Sequence, residues 1–233
     1  MTTTKEMLKE VKDILATQWS RRDGLKVPEA ENVKLGNDAV FLKGTVLYAD
    51  MADSTGLVMG YKDWFAAEVY KSFLICASRI IHNNDGEITA FDGDRVMAVF
   101  IGEYKNTSAA RCALQINYVV TNIVNKAIKE HYPNTGYKIV HAVGIDTSDL
   151  FIARTGIRGS NDLVWVGRAA NYAAKLCSLR QGDFSSYITE DVYKKLHISA
   201  KLGGEQQQPM WEKIMWDDQG IAVYRSEWWW KTD

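Results

Sequence analysis

Two short stretches constrain this chain more than any other feature. In Val46-Leu47-Tyr48-Ala49-Asp50-Met51-Ala52-Asp53-Ser54-Thr55, a β-rich run delivers Asp50 into a polar turn of small residues. In Phe91-Asp92-Gly93-Asp94-Arg95-Val96-Met97-Ala98-Val99-Phe100, a tight Asp-Gly turn leads into an apolar strand. If the two strands pair, Asp50 and Asp94 stand side by side at one sheet edge. Two carboxylates with no cysteine or histidine nearby make an oxygen donor set. Such a set suits Mg²⁺ or Mn²⁺, with a substrate phosphate completing the shell. A plainer reading stays open on these residues alone. Asp-Gly is a common hairpin turn, and an Asp after a strand is often a helix N-cap.

The 233 residues suffice for one large domain with a sizeable core. A net charge of −1 argues against a surface that wraps nucleic acid, so no nucleic-acid partner is expected. Cys76, Cys112 and Cys177 are odd in number and lie in apolar helical contexts, so reduced, buried thiols in an intracellular protein are expected. The N-terminal Met1-Thr2-Thr3-Thr4-Lys5-Glu6 carries no apolar signal core, and no apolar run approaches a membrane span. A cytoplasmic protein without membrane insertion follows as the expectation.

Residues 1–37 read as an N-terminal helix and a linker. Met7, Leu8, Val11, Ile14, Leu15 and Trp19 recur at helical spacing, while Arg21 to Asn37 is polar and carries Pro28 and Gly36. The helix has two possible partners, its own domain or a second subunit. Residues 38–226 read as the catalytic domain. Its expected elements begin with a strand over Ala39 to Ala49, a short helix from Ser54 and a long helix over Lys62 to His82. The strands flanking Asp92-Gly93-Asp94 follow, then a helix capped by Asn106-Thr107-Ser108 and reaching Glu130. Tyr137 to Ile145 is the next strand, with Leu150 to Arg154 as its partner. The strand Val164 to Val166, a helix over Arg168 to Leu179, short elements over Tyr187 to Leu196 and a hairpin over Trp211 to Arg225 complete the domain. Residues 227–233 form an aromatic tail, with Trp228, Trp229 and Trp230 expected on the domain's own sheet or at an interface. This order gives an α+β fold, a ferredoxin-like palm with helices packed on a mostly antiparallel sheet.

The segment Trp165-Val166-Gly167-Arg168-Ala169-Ala170-Asn171-Tyr172-Ala173-Ala174-Lys175-Leu176 is a strand–glycine–helix junction with Asn171 and Lys175 on one helical face. Together with the two opening stretches and Gly144-Ile145-Asp146-Thr147-Ser148-Asp149, it resembles the class III nucleotidyl cyclases, in the family's order from about Val46 to Arg225. The resemblance implies two divalent cations, Mg²⁺ or Mn²⁺, on Asp50, Asp94 and the Met51 backbone carbonyl. It implies a nucleoside triphosphate substrate whose phosphates lie on the amides of Asp53, Ser54 and Thr55. Asn171 would orient the ribose, and Lys175 would neutralise the α-phosphate. In the family these last two come from the partner subunit, so a homodimer with shared sites is implied.

Three positions depart from the purine-cyclase pattern: Ala90 and Val164 replace polar base-reading residues, and Lys175 replaces an arginine. Without those polar groups the usual purine readout is missing. Tyr48 lies two residues before Asp50, on the same strand face, and its ring is a candidate to narrow the base pocket. A short chain with these features looks like the bacterial pyrimidine cyclases of the Pycsar antiphage system. That likeness implies a cyclic UMP or cyclic CMP product read by a separate effector, with UTP favoured over CTP. A purine cyclase with unusual base selectors and an inactive cyclase-like binding module remain alternatives. His82, His131, His141 and His197 show no ligand spacing, Arg154, Arg158 and Lys201 have no assigned role, and Asp92 is expected to hold its turn.

Overall fold

In the computed structural model, which describes residues 3–232, the chain opens on a capped helix. The elements run α1 (Thr4–Ala16), β1 (Ser20–Asp23), β2 (Asp38–Met51), α2 (Ser54–Gly60), α3 (Asp63–Asn83), β3 (Glu87–Asp92) and β4 (Arg95–Phe100). Next come α4 (Lys105–Val119), α5 (Asn125–His131), β5 (His141–Ile157), β6 (Ser160–Val166), α6 (Arg168–Leu176), β7 (Ser186–Thr189) and α7 (Glu190–Lys194). The chain ends with β8 (Leu202–Gly203), β9 (Gln208–Pro209), β10 (Glu212–Trp216) and β11 (Ile221–Ser226). Two units are distinguished, Met1–Lys43 with Asp149–Gly167, and Gly44–Ser148 with Arg168–Asp233.

In the first unit, Thr3 and Glu6 cap α1 reciprocally: the Thr3 hydroxyl accepts from the Glu6 amide, and the Glu6 carboxylate takes the Thr3 amide. The helix ends at Ala16 rather than Trp19, and all of its apolar stripe is exposed. The segment read as a linker holds β1, which pairs in parallel with the start of β2. No apolar alternation announces this strand; Arg22 secures it through one guanidinium nitrogen, Nη1, shared between the two carboxylate oxygens of Asp38 at 2.8 and 2.9 Å. The second half of β5 pairs antiparallel with β6.

In the second unit the sheet order is β10-β11-β7-β5-β2-β4-β3. The pleat sends alternate residues to opposite faces. Leu47, Ala49, Val143, Ile145 and Ile188 join the core that α3 and α4 cover. Their neighbours Tyr48, Ala142 and Tyr187 join a second cluster with Leu176 and Cys177 at the end of α6. The helices therefore lie on both faces of a mostly antiparallel sheet, the α+β architecture expected.

Local signals misled the sequence reading at three places, each time because a polar group finds a distant partner. Asp146-Thr147-Ser148-Asp149 looks like a turn, yet β5 runs straight through it, so Leu150 to Arg154 continues the strand rather than pairing with it. Asp146 is fully buried and accepts from Thr189 at 2.6 Å and from Arg168 at 2.9 and 3.1 Å. Asn106 and Thr107 do not cap α4; they lie inside it, accepting from the Thr45 hydroxyl (3.0 Å) and the His197 amide (2.9 Å). The tryptophan tail packs on α4 rather than on the sheet. Trp230 donates its amide to Leu114 at 3.0 Å, and the Asn117 side chain donates to the carbonyls of Glu227 and Trp228, both at 3.0 Å.

The three cysteines are free; Cys112 and Cys177 are buried as expected, while Cys76 on α3 is only partly so. Among the described residues, no helix is long and apolar enough to cross a membrane. Burial pushes His141 down to about 4, so this imidazole is a neutral core group.

Gly144 sets how closely α6 approaches the sheet. A Cβ there would lie 2.1 Å from the Ala173 carbonyl and 2.6 Å from the Cys177 amide, both backbone atoms. Gly144→Ala must lift α6 away from β5. Urea denaturation is expected to show a loss of roughly 2–3 kcal/mol.

Candidate active site

The end of β2 and the β3–β4 hairpin build the site. Antiparallel register places Asp50 opposite Arg95 and Tyr48 opposite Met97, with Ala90 completing that row from β3. Asp50 is buried, and its Oδ2 accepts from Arg95 Nη2 at 3.0 Å and Arg180 Nη2 at 2.7 Å. Arg180 Nη2 also donates to the Met51 carbonyl at 2.7 Å. Asp94 follows the glycine of the hairpin, and its Oδ2 is buried with no hydrogen-bond partner among the described residues. Burial holds the Asp94 carboxyl above its ordinary value; the nearby Asp50 charge adds to this, while its own amide and Ser54 oppose it.

A cleft of about 450 Å³ is lined by these two aspartates with Met51, Asp53, Ser54, Thr55, Arg95 and Arg180. Asp53 caps α2 from a left-handed backbone (φ 55°), its Oδ1 accepting from the Gly56 amide at 3.1 Å. It thus fills the capping role its sequence offers and lines the cleft as well.

An orphaned buried carboxylate oxygen, a second carboxylate and a backbone carbonyl form an oxygen set that fits a divalent cation. Among the described residues, no group of three or more His, Cys, Asp and Glu is placed to hold a metal. Any cation here needs further ligands from substrate or water.

Tyr48 is half-buried on the same sheet face as Asp50, with the Arg95 guanidinium 5.8 Å from its ring centre. Burial raises its phenol. Val164 lies on β6 in the first unit, opposite Ala153, and is exposed. Asn171 and Lys175 are exposed one turn apart on α6, and neither lines the cleft.

Sequence reasoning missed the two arginines on Asp50. Arg95 was detectable in principle, since it directly follows Asp94 and the pairing of β2 with β4 puts it across from Asp50. Arg180 is 130 residues from Asp50, and no local signal announces it. Arg168 was also missed: besides Asp146 it reaches Asp191 at 2.6 Å and the Thr147 carbonyl at 3.0 Å, a structural clamp. Arg154 binds Asn161 at 2.7 Å and Lys201 lies over the Tyr193 ring, both outside the cleft.

No protein-family model matches the chain. The adenylyl cyclase CyaB from P. aeruginosa superposes with a TM-score of 0.66 at 18% identity, over 81% of this chain and 95% of that one. The fold is therefore that of the nucleotidyl cyclases. A uridylate cyclase from Xanthomonas perforans is 49% identical over 223 residues, 95% of each chain. Another from Burkholderia cepacia is 49% identical over 232 residues, 99% of each. The chain belongs to the uridylate cyclase family.

The two aspartates should respond oppositely to neutralisation. Asp94→Asn removes the charge from a half-buried carboxylate whose Oδ2 has no partner among the described residues, and is expected to raise Tm by roughly 2–4 °C in metal-free buffer. Asp50→Asn strips two guanidinium groups of their counter-charge and is expected to lower Tm by a similar amount. Scanning calorimetry in chelator checks both.

Proposed function

We propose that the chain converts UTP to 3′,5′-cyclic UMP and pyrophosphate. The observation that carries this reading is the convergence of Asp50 and Asp94 on one cleft beside the Asp53–Thr55 turn. The near-full-length likeness to uridylate cyclases supports the choice of base. Asp50, Asp94 and the Met51 carbonyl would hold the divalent cations, two in number and Mg²⁺ or Mn²⁺ in kind. When bound, these cations supply Lewis acidity that favours ionisation of the ribose 3′-hydroxyl and neutralises phosphate charge.

The chain's own residues do the rest. Amides at the Asp53-Ser54-Thr55 turn hold the β- and γ-phosphates. Asn171 orients the ribose by a neutral hydrogen bond. Lys175 balances the charge that grows on the α-phosphate as the 3′-oxygen bonds to phosphorus and the bond to pyrophosphate breaks. Lysine serves here as a point charge rather than a fork. The exposure of Asn171 and Lys175 away from their own chain's cleft supports a homodimer in which each chain completes the other's site. Following the resemblance to Pycsar cyclases, the product acts as a second messenger for a separate effector in antiphage defence.

Purified protein incubated with each of the four ribonucleoside triphosphates and Mn²⁺ tests the reaction, with products identified by mass. Cyclic UMP is expected from the native chain and none from Asp50→Ala. A dominant purine product overturns the base assignment, and no product from any substrate overturns the activity. Tyr48 sits in the row with Met97 and Ala90, next to the cleft rather than in its lining, and in this reading its ring narrows the base pocket. Tyr48→Ala is expected to reduce the kcat/KM preference for UTP over ATP by roughly tenfold, a loss of about 1.4 kcal/mol of discrimination. An unchanged ratio removes Tyr48 as the filter.

A further inference from the structure

We infer that Arg180 is a resident counter-cation of the catalytic carboxylate, and that a divalent cation reaches Asp50 only as Arg180 leaves it. This inference rests on the metal-binding reading of Asp50 and Asp94. Three observations carry it. First, a single Arg180 nitrogen stands 2.7 Å from Asp50 Oδ2 and 2.7 Å from the Met51 carbonyl. It therefore bridges two of the oxygens assigned to the metal. Second, the Asp50 side chain is only 7% exposed and its Oδ2 also receives Arg95. A divalent cation on that oxygen would face two positive groups at short range in a poorly screened place. Third, the two arginines are held differently. Arg95 belongs to β4, in register with Asp50. Arg180 lies beyond the end of α6, at a left-handed φ of 40° that a non-glycine residue adopts only under local constraint. The Gln181 amide beside it is tied to the Tyr187 hydroxyl at 2.7 Å, which fixes where the side chain starts.

Of the two guanidinium groups, Arg180 is the one that a change of its own partly exposed side chain, from a fixed backbone, can withdraw without breaking the sheet. Once off Asp50 it remains in the same cleft, where the phosphates of a nucleotide offer a new anionic partner. Nucleotide binding then draws Arg180 away and opens Asp50, while the cation repels Arg180 towards the phosphates. By linkage each ligand tightens the other, and Arg180 is the shared element. A free cation by contrast must compete with two charge-assisted hydrogen bonds.

Manganese binding to the full-length protein, read by electron paramagnetic resonance of free Mn²⁺, tests this without reference to turnover. Without nucleotide, Arg180→Gln is expected to bind Mn²⁺ roughly tenfold more tightly than the native chain, while Arg180→Lys, which keeps the charge, stays near native. Adding a non-cyclisable UTP analogue with an α,β-methylene bridge is expected to tighten Mn²⁺ binding more in the native chain than in Arg180→Gln. Equal or weaker Mn²⁺ affinity in Arg180→Gln overturns the inference, provided that Asp50→Asn abolishes binding in the native background. Binding that survives Asp50→Asn in both backgrounds overturns the metal assignment, and this inference with it.

Discussion

The register of β2 against β4 is the constraint from which the site follows. Antiparallel pairing of Asp50 with Arg95 decides that the carboxylate ends its strand beside the hairpin rather than above or below it. A slip of one residue would turn Asp50 into the core beneath α3 and send Ala49 to the cleft. Pairs such as Leu47 with Ala98 and Ala49 with Val96 prevent this, since all four side chains are needed in the apolar cluster on that face. The site is therefore held in place by hydrophobic burial on the opposite side of the sheet.

Charge is then distributed unevenly between the two aspartates. Asp50 has two guanidinium partners, while Asp94 has a buried oxygen with none. The two halves of such a pair act oppositely on a cation: the unpartnered oxygen of Asp94 favours its arrival, while the guanidinium groups on Asp50 compete with it. Asp53, capping α2 from a left-handed backbone, fixes the turn that lies against them.

The sheet face that carries the site, opposite α3 and α4, depends on close approach. Gly144 admits α6 against β5, and Arg168 at the start of that helix clamps Asp146 in β5 and Asp191 in α7. Thr189 in β7 shares the same buried carboxylate. The helix that carries Asn171 and Lys175 is thereby tied at its first residue by charge and along its length by backbone contact. Those two side chains stay free to face outward.

The alternation of apolar residues and the Asp-Gly turn were enough to place β2, β3, β4 and α3 close to their observed ends, because those signals are local. The same signals put Asp50 and Asp94 each at a strand end, but their meeting depends on β2 pairing with β4 across two helices and a strand, which the sequence left as a condition. The ordered motifs were enough to suggest the family. Local sequence did not reveal that β5 passes unbroken through Asp146 and Thr147, that Asn106 is a core group rather than a cap, or that β1 exists. Each depends on a hydrogen-bond partner far away in the chain: Arg168 and Thr189, Thr45, and Asp38. Arg180 belongs with them. A carboxylate's position follows from its own strand, but the cation that meets it is chosen by which remote segment the fold brings within 3 Å, and only the tertiary structure decides that.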